Sequence, residues 1–322
     1  MDGSASHPTN SNVSPKSDRI VDPVVLAGGF LAAAVRVATP LLFAATGETV
    51  TERSGVINLG IEGMMLAGAL GAALGAMAWG PWAGLGCAAL AGMVLAAIFA
   101  LLAVGVRSDQ IITGTAITLA AVGLTGTISQ RAFGPEGAGL AIPTFSSLSI
   151  PGLANIPILG PGLFQQSAPT YLSIAALPLV WWILFRTRLG LMLRATGEAA
   201  AVARAAGVRT GLIRTGATIF GGAFAGLGGA TLVLAQVGTF VERMTAGRGF
   251  LAIAIVVLGR WHPAGVALAA LLFGAASAMQ FLFQAMGVRA PYQIFLMLPY
   301  LLTLLALAGA VGRVRAPGDL GR

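Results

Sequence analysis

The chain has 322 residues, 57% of them hydrophobic and 9% Asp, Glu, Lys or Arg, with a net charge of +8. So low a charged share, against roughly one quarter in soluble domains, excludes an ordinary water-soluble globule. The only lysine, Lys16, lies in a polar opening stretch, so no P-loop lysine is present to cradle nucleotide phosphates. The single cysteine, Cys87, permits no intrachain disulfide. The arginines sit between apolar runs, where membrane topology accounts for them, so nucleic-acid binding is not expected.

Residues 1–22 are rich in Ser, Asn and Pro and hold no apolar run. They read as a disordered tail, because a signal peptide needs a basic start followed by an apolar core. The remainder, 23–322, reads as one transmembrane domain. Between Glu62 and Arg107 lie 44 uncharged residues, between Glu136 and Arg186 lie 49, and between Arg260 and Arg289 lie 28. A membrane helix needs about 20 apolar residues, so this is an all-α, polytopic helical bundle. Nine spans are expected, over 24–46, 55–78, 82–105, 111–133, 168–186, 213–236, 246–260, 264–285 and 292–312.

From Arg186 to Arg214 the chain turns basic, with Arg188, Arg194, Arg204 and Arg209 facing one acid, Glu198. Arginine excess between spans marks the cytoplasmic side, so 187–212 is read as a cytoplasmic loop. Alternation then puts Glu48–Ser54, the Arg107–Gln110 turn, the Arg260–Pro263 turn and Arg313 with Arg315 inside. The Pro/Gly-rich stretch 134–167 and the Gly238–Arg248 loop fall outside, as does the start of the chain. The segment 246–260 offers only 11 uncharged residues between Arg248 and Arg260. Two readings stand for it, a short span buried in protein or a re-entrant segment.

A weak inverted repeat is visible. One unit runs span, Gly47-Glu-Thr-Val-Thr-Glu-Arg53, span, Gly80-Pro-Trp-Ala-Gly84, span. The other runs span, Gly238-Thr-Phe-Val-Glu-Arg243, span, Gly259-Arg-Trp-His-Pro-Ala-Gly265, span. Five spans separate the two starts, which puts the units in opposite orientation, as in transporters built from inverted halves. Gly71-Ala-Ala-Leu-Gly75 and Gly222-Ala-Phe-Ala-Gly226 lie inside spans, where small residues let helix backbones approach closely.

Few residues are equipped for chemistry. No histidine pair is spaced for zinc, and His262 sits in a turn, so neither a metal, a cofactor nor a hydrolytic triad is expected. A membrane-embedded enzyme is correspondingly disfavoured. Asn58 and Glu62 are four residues apart, on one helical face just inside a span. An acid at that depth needs a partner or a wet cavity, and Arg36 is one candidate partner. Gln110 and Thr113, with Thr115 and Thr118, form a second polar edge, and Gln280, Gln284 and Gln293 add amides. Neutral hydrogen-bonding groups suit an uncharged polar solute such as a nucleoside, and serve helix–helix contacts equally well.

Thr196-Gly-Glu-Ala-Ala-Ala-Val-Ala-Arg-Ala-Ala-Gly207 predicts a short helix outside the bilayer. Thr196 is the expected cap, Glu198 favours the positive helix start, the alanines carry high propensity, and Gly207 suits a left-handed stop. It is either an amphipathic connector or a peg for a cytoplasmic motor. The stretch resembles the coupling helix of ATP-binding cassette (ABC) importer permeases in Gly197, Glu198, Ala203 and Gly207, with Arg204 on the same helix, but has Ala199 and Ala200 where that family has Asn-Pro.

Thr51-Glu-Arg-Ser-Gly-Val-Ile-Asn-Leu-Gly-Ile-Glu-Gly-Met-Met65 resembles the signature of nucleoside and simple-sugar permeases, a branched-chain-type inner-membrane permease family. Glu242-Arg-Met-Thr-Ala-Gly-Arg-Gly-Phe250, Gly259-Arg-Trp-His-Pro263 and Pro291-Tyr-Gln-Ile-Phe-Leu-Met-Leu-Pro-Tyr300 are similar to the same subfamily. The resemblance covers about 24–312 and implies a type II ABC importer-like fold. It implies the shorter of two paralogous permeases, paired as a heterodimer with a cytoplasmic ABC ATPase. An extracytoplasmic substrate-binding lipoprotein would deliver a small polar solute across a bacterial inner membrane. A sugar permease is the alternative, and an ion-gradient-driven secondary transporter is a more distant one.

Overall fold

The computed structural model describes residues 23–134, 141–285, 297, 301 and 316–321. Ten α-helices dominate it: α1 Pro23–Arg53, α2 Ile61–Trp79, α3 Pro81–Ala100, α4 Gln110–Phe133, α5 Ala168–Arg186, α6 Arg188–Glu198, α7 Ala200–Ala205, α8 Thr210–Thr231, α9 Arg248–Leu258 and α10 Pro263–Ala285. Seven of the helical stretches among the described residues are long and apolar enough to cross a membrane. The opening tail 1–22 and most of the expected ninth span, 292–312, lie outside the described residues.

Local chemistry sets the turns. Gly80, at φ 90°, is the whole connection between α2 and α3, and Pro81 opens α3 where its missing N–H is not needed. Asp109 caps α4, its carboxylate accepting from the amides of Ile111 and Ile112 at 2.9 Å each. Both α3 and α8 widen into a π-turn at their ends, over Leu101–Val106 and Leu232–Val237. A two-stranded hairpin, β1 Ser147–Ser149 and β2 Gln165–Ser167, pairs Leu148 with Gln166. It sits at the end of the bundle where α1 begins, since Gly28 meets Ile158 and Gly162 meets Leu31. At the opposite end lie α6 and α7, where Gly197 rests on the carbonyl of Arg53.

The bundle is assembled around α8, which packs on α1, α2 and α3 through residues lacking bulk. Gly226 faces Gly68, Gly222 faces Gly92, and Gly229 lies against the carbonyl of Met65 so closely that a Cβ there would collide with it. Without a hydrophobic drive between helices in lipid, such backbone proximity is what gains dispersion contact. The resulting core runs from Leu41 and Ala45 through Met64 and Met65 to Ala252, Val266 and Phe273. The outer surface is apolar, with Leu90, Ile112, Leu119 and Leu268 exposed, as a lipid-facing or partner-facing surface requires. Trp79 and Trp82 are exposed near the hairpin end, and Trp181 and Trp182 near the end of α5 toward α6. Amphipathic rings favour the two membrane interfaces.

Two expectations are revised, and the two readings of 246–260 are narrowed. The first span does not stop at residue 46: α1 runs on to Arg53, because Glu48, Thr49, Thr51 and Glu52 are buried against other elements. The stretch 246–260 is no full-length span. Gly247, at φ 82°, separates a non-helical strand of chain from α9, which has 11 residues and a length of about 16 Å. The Gly238–Arg248 loop is also no simple outer loop. It leaves the hairpin end, where Gly238 accepts from Ile142, and runs inward until Gly249 touches Glu62. Short helix α9 follows and leads to the turn where Trp261 meets Glu52 and Arg53 of α1.

Candidate functional site

Glu62 occupies the first turn of α2 and is 8% exposed. Its Oε1 accepts from Thr245 Oγ1 at 2.6 Å and from the Gly247 amide at 2.8 Å, and its Oε2 accepts from the Gly249 amide at 2.6 Å. The carboxylate thus sits at the N-terminal ends of both α2 and α9, where the partial positive charge of each helix favours an anion. Arg36, the partner considered from sequence, is exposed instead. Gly249 must be glycine-sized, because a Cβ there would lie 2.6 Å from the Glu62 backbone.

Asn58 is fully buried in the turn before α2. Its side-chain oxygen accepts from the Gly60 amide at 3.1 Å, an Asx-type local bond, and its backbone amide donates to Glu48 Oε1 at 3.0 Å. Gln110 takes the amide of Ile57 at 2.8 Å. Thr113 bonds backward to the Asp109 carbonyl at 2.7 Å and lies 2.8 Å from Ser108 Oγ. Asn58, Glu62, Gln110 and Thr113 are therefore brought together around the 54–60 turn, largely by bonds to protein. Gln280 is buried on α10, separate from that group. Gln293 lies outside the described residues.

Of that group, Gln110 borders open space. A cavity of about 1500 Å3 opens between the end of α3, the start of α4, α7 and the start of α8. Its walls include Gln110, Arg107, Arg204, Arg209 and Arg214, with Leu101 and Ile219 on the apolar side.

At the same end, the predicted peg is built differently from its sequence expectation. Thr196 does not cap it: its hydroxyl donates to Met192 inside α6 at 2.7 Å. The helix breaks at Ala199 (φ −156°, ψ 83°), and α7 begins at Ala200. The cap comes from far along the chain, Asp319 Oδ2 accepting from the Ala200 amide at 2.6 Å. Gly207 does adopt the left-handed conformation, at φ 85°. Gly197 has no room for a side chain beside the Arg53 carbonyl, Ala203 is buried, and Arg204 is exposed. Leu191, Met192, Ala195, Val202 and Ala206 line an apolar groove of about 430 Å3 between α6 and α7. Above it, Arg53 Nε donates to the Trp261 carbonyl at 2.9 Å, and Trp261 Nε1 donates to the buried Glu52 Oε2 at 2.5 Å.

Sequence reasoning missed Thr245, Gly247 and Gly249 as partners of Glu62, Trp261 as partner of Glu52, and Asp319 altogether. The quoted motif 242–250 was the available signal for the first three; nothing local marked Asp319.

Seven helices among the described residues long and apolar enough to cross a bilayer, with a short helix held against a buried carboxylate and another beneath one end of the bundle, are the make-up of a polytopic membrane protein. The chain belongs to the family described as the branched-chain amino acid transport system / permease component, whose model matches residues 30–307. It is 38% identical over 313 residues to "Putative glucose ABC transporter permease protein TsgC13" of Haloferax volcanii, covering 90% of this chain and 94% of that one. The guanosine ABC transporter permease protein NupQ of Bacillus subtilis is 37% identical over 292 residues, covering 87% and 91%. The nucleoside ABC transporter permease protein NupC of Lactococcus lactis is 33% identical over 291 residues, covering 87% and 91%. No solved structure matches. The chain is an ABC transporter permease subunit, a multi-pass protein of the plasma membrane.

Proposed function

We propose that this permease imports nucleosides, driven by a cytoplasmic ABC ATPase and served by an extracytoplasmic binding lipoprotein, in a heterodimer with a paralogous permease. The observation that carries the substrate is the likeness to guanosine and nucleoside permeases at 37% and 33% identity. The neutral hydrogen-bonding character of Gln110, Thr113 and Gln280 is in keeping with an uncharged polar solute, with Gln110 in the wall of the cavity. Import of a simple sugar is the second reading, favoured by the glucose-named relative at 38% identity.

The mechanism we infer is alternating access worked through α9. The ATPase seats on the groove between α6 and α7 and presses on 197–207. Gly197 bears on Arg53, Arg53 and Glu52 hold Trp261 at one end of α9, and Glu62 holds the other end against α2. Displacement of the peg is thereby delivered to both ends of a short helix that meets the middle of the bundle. In this reading α9 and the preceding loop make one of nine crossings. The meeting of Glu62 at the start of α2 with Thr245 and Gly247 just ahead of α9 is the kind of contact that two inverted halves would bring together. Asn58 and Glu62 then shape the pathway wall rather than bind solute directly.

The test is ATP-dependent uptake of radiolabelled guanosine into proteoliposomes holding the permeases and ATPase with the receptor outside. Nucleosides should compete and glucose should not. Uptake of glucose with no response to nucleosides would replace the substrate, and uptake stopped by collapsing an ion gradient but indifferent to ATP would replace the motor.

A further inference from the structure

Residues 316–321 fold back onto the peg. Pro317 is buried, and Leu320, after a turn closed by its amide on the Pro317 carbonyl at 3.1 Å, packs against the main core. Between them Asp319 is held on both sides: its amide donates to the Gly197 carbonyl at 2.8 Å while its carboxylate takes the Ala200 amide at 2.6 Å. The Gly318 amide reaches Glu198 Oε2 at 3.4 Å, and the Gly321 amide donates to the Gly55 carbonyl at 3.0 Å. Gly318 and Gly321 suit the path, since a Cβ on Gly318 would stand 2.5 Å from the Glu198 carbonyl and Gly321 has φ 79°. Arg214 joins the same knot, its Nε donating to the Ser54 carbonyl at 3.2 Å.

This strap answers a defect in the peg. Ala199 offers no side chain to cap α7, so the bend between α6 and α7 would leave the first amide of α7 without an acceptor. Asp319 supplies that acceptor, and Gly321 ties the same segment to the 54–57 turn that leads into Asn58 and Glu62. We propose that Asp319 is a positioning residue for energy coupling: it fixes the leading end of α7 to the 54–57 turn, so that a push on the peg moves α1 and α2 instead of swinging the peg alone. This rests on the ATP-driven reading above. Asp319 lies off the Leu191–Val202 groove and in the wall of the larger cavity, so its removal leaves the proposed ATPase seat intact.

The experiment uses the full-length permeases reconstituted with their ATPase and receptor, comparing Asp319→Ala and Asp319→Asn. Asparagine caps a helix about as well as aspartate, whereas alanine does not. Asp319→Ala should bind the ATPase within about twofold of wild type yet lose about fivefold or more in solute moved per ATP hydrolysed, the factor corresponding to a lost cap of about 1 kcal/mol. Asp319→Asn should restore most of that ratio. Exchange of the Ala200 amide, followed by mass spectrometry, should quicken in the alanine variant alone. If Asp319→Ala does not accumulate, Leu320→Ala loosens the strap without touching the cap and should lower the same ratio. An unchanged ratio in both, or an asparagine variant as defective as the alanine one, overturns the strap. Wild-type uptake that ignores ATP overturns the transport reading instead, whatever the variants do.

Discussion

Replacing Glu62 tests whether this carboxylate is a fastener or a solute ligand. In Glu62→Ala, the Gly249 amide loses its 2.6 Å acceptor, the Gly247 amide its 2.8 Å one, and the Thr245 hydroxyl its 2.6 Å one. A buried donor left without a partner costs about 1–3 kcal/mol. Counting Gly249 in full and the part-buried Gly247 at the low end, the loss is about 2–4 kcal/mol, and Thr245 can re-pair locally. In Glu62→Gln the amide oxygen still serves two donors, but the NH2 group faces the Gly249 N–H, so the Gly249 share, about 1–3 kcal/mol, remains. Thermal unfolding in detergent, read by the surviving monodisperse fraction after heating, should rank wild type above Gln above Ala, with uptake following the same order. A Glu62→Ala protein that melts with wild type while uptake collapses would mean that the carboxylate meets solute, and the fastener argument would be wrong.

Other consequences follow from the same packing. Gly229→Leu should fail to accumulate, because its side chain is driven into the Met65 carbonyl, whereas Gly216→Ala, with open space at its Cβ, should be neutral or more stable by up to about 1 kcal/mol. Comparing membrane-extracted yields and melting points checks both. Trp261→Phe strips the donor from buried Glu52 and should cost about 1–3 kcal/mol; a double-mutant cycle with Glu52→Leu, which removes the acceptor, should return a coupling of about 0.5–3 kcal/mol, and additivity would refute the bond. Val202→Glu puts a charge on the exposed apolar edge of the α6–α7 groove. It should leave the melting point unchanged while weakening ATPase co-purification by tenfold or more, on the order of a lost apolar contact in an interface core.

What could be read from the sequence was whatever the solvent dictates. Lipid forbids charge over long runs, so the spans around 61–79, 81–106 and 168–186 stand out in the residue order alone. Where charges occur inside the fold, local reading misled. Glu48, Glu52 and Arg53 look like a loop, but they continue α1 because Asn58 and Trp261 receive them, the latter more than 200 residues away. Glu242, Arg243 and Arg248 likewise suggested an outer loop, while the chain between them turns inward to reach Glu62. Thr196 had the chemistry of a cap, and the break fell three residues later with its acceptor supplied 119 positions on. In each case the deciding partner is tertiary, and no spacing rule reports it. Membership in the permease family was legible from motifs at 51–65 and 242–250, where the structure explains Gly63 and Gly249 by close approach and Gly55 and Gly247 by left-handed backbone.

The glycine facets of α8 have a mechanical corollary. Side chains at a helix seam act as bearings: they change rotamer and let one cylinder roll past another. Where Gly222, Gly226 and Gly229 press backbone on backbone against α2 and α3, those bearings are missing. Together with α1 the four helices amount to a welded chassis. The short helices hang on that chassis by polar bolts, α7 through Asp319 on the Ala200 amide and α9 through Glu62 on the Gly247 amide, so a load applied to either is handed to the frame instead of being absorbed at a seam.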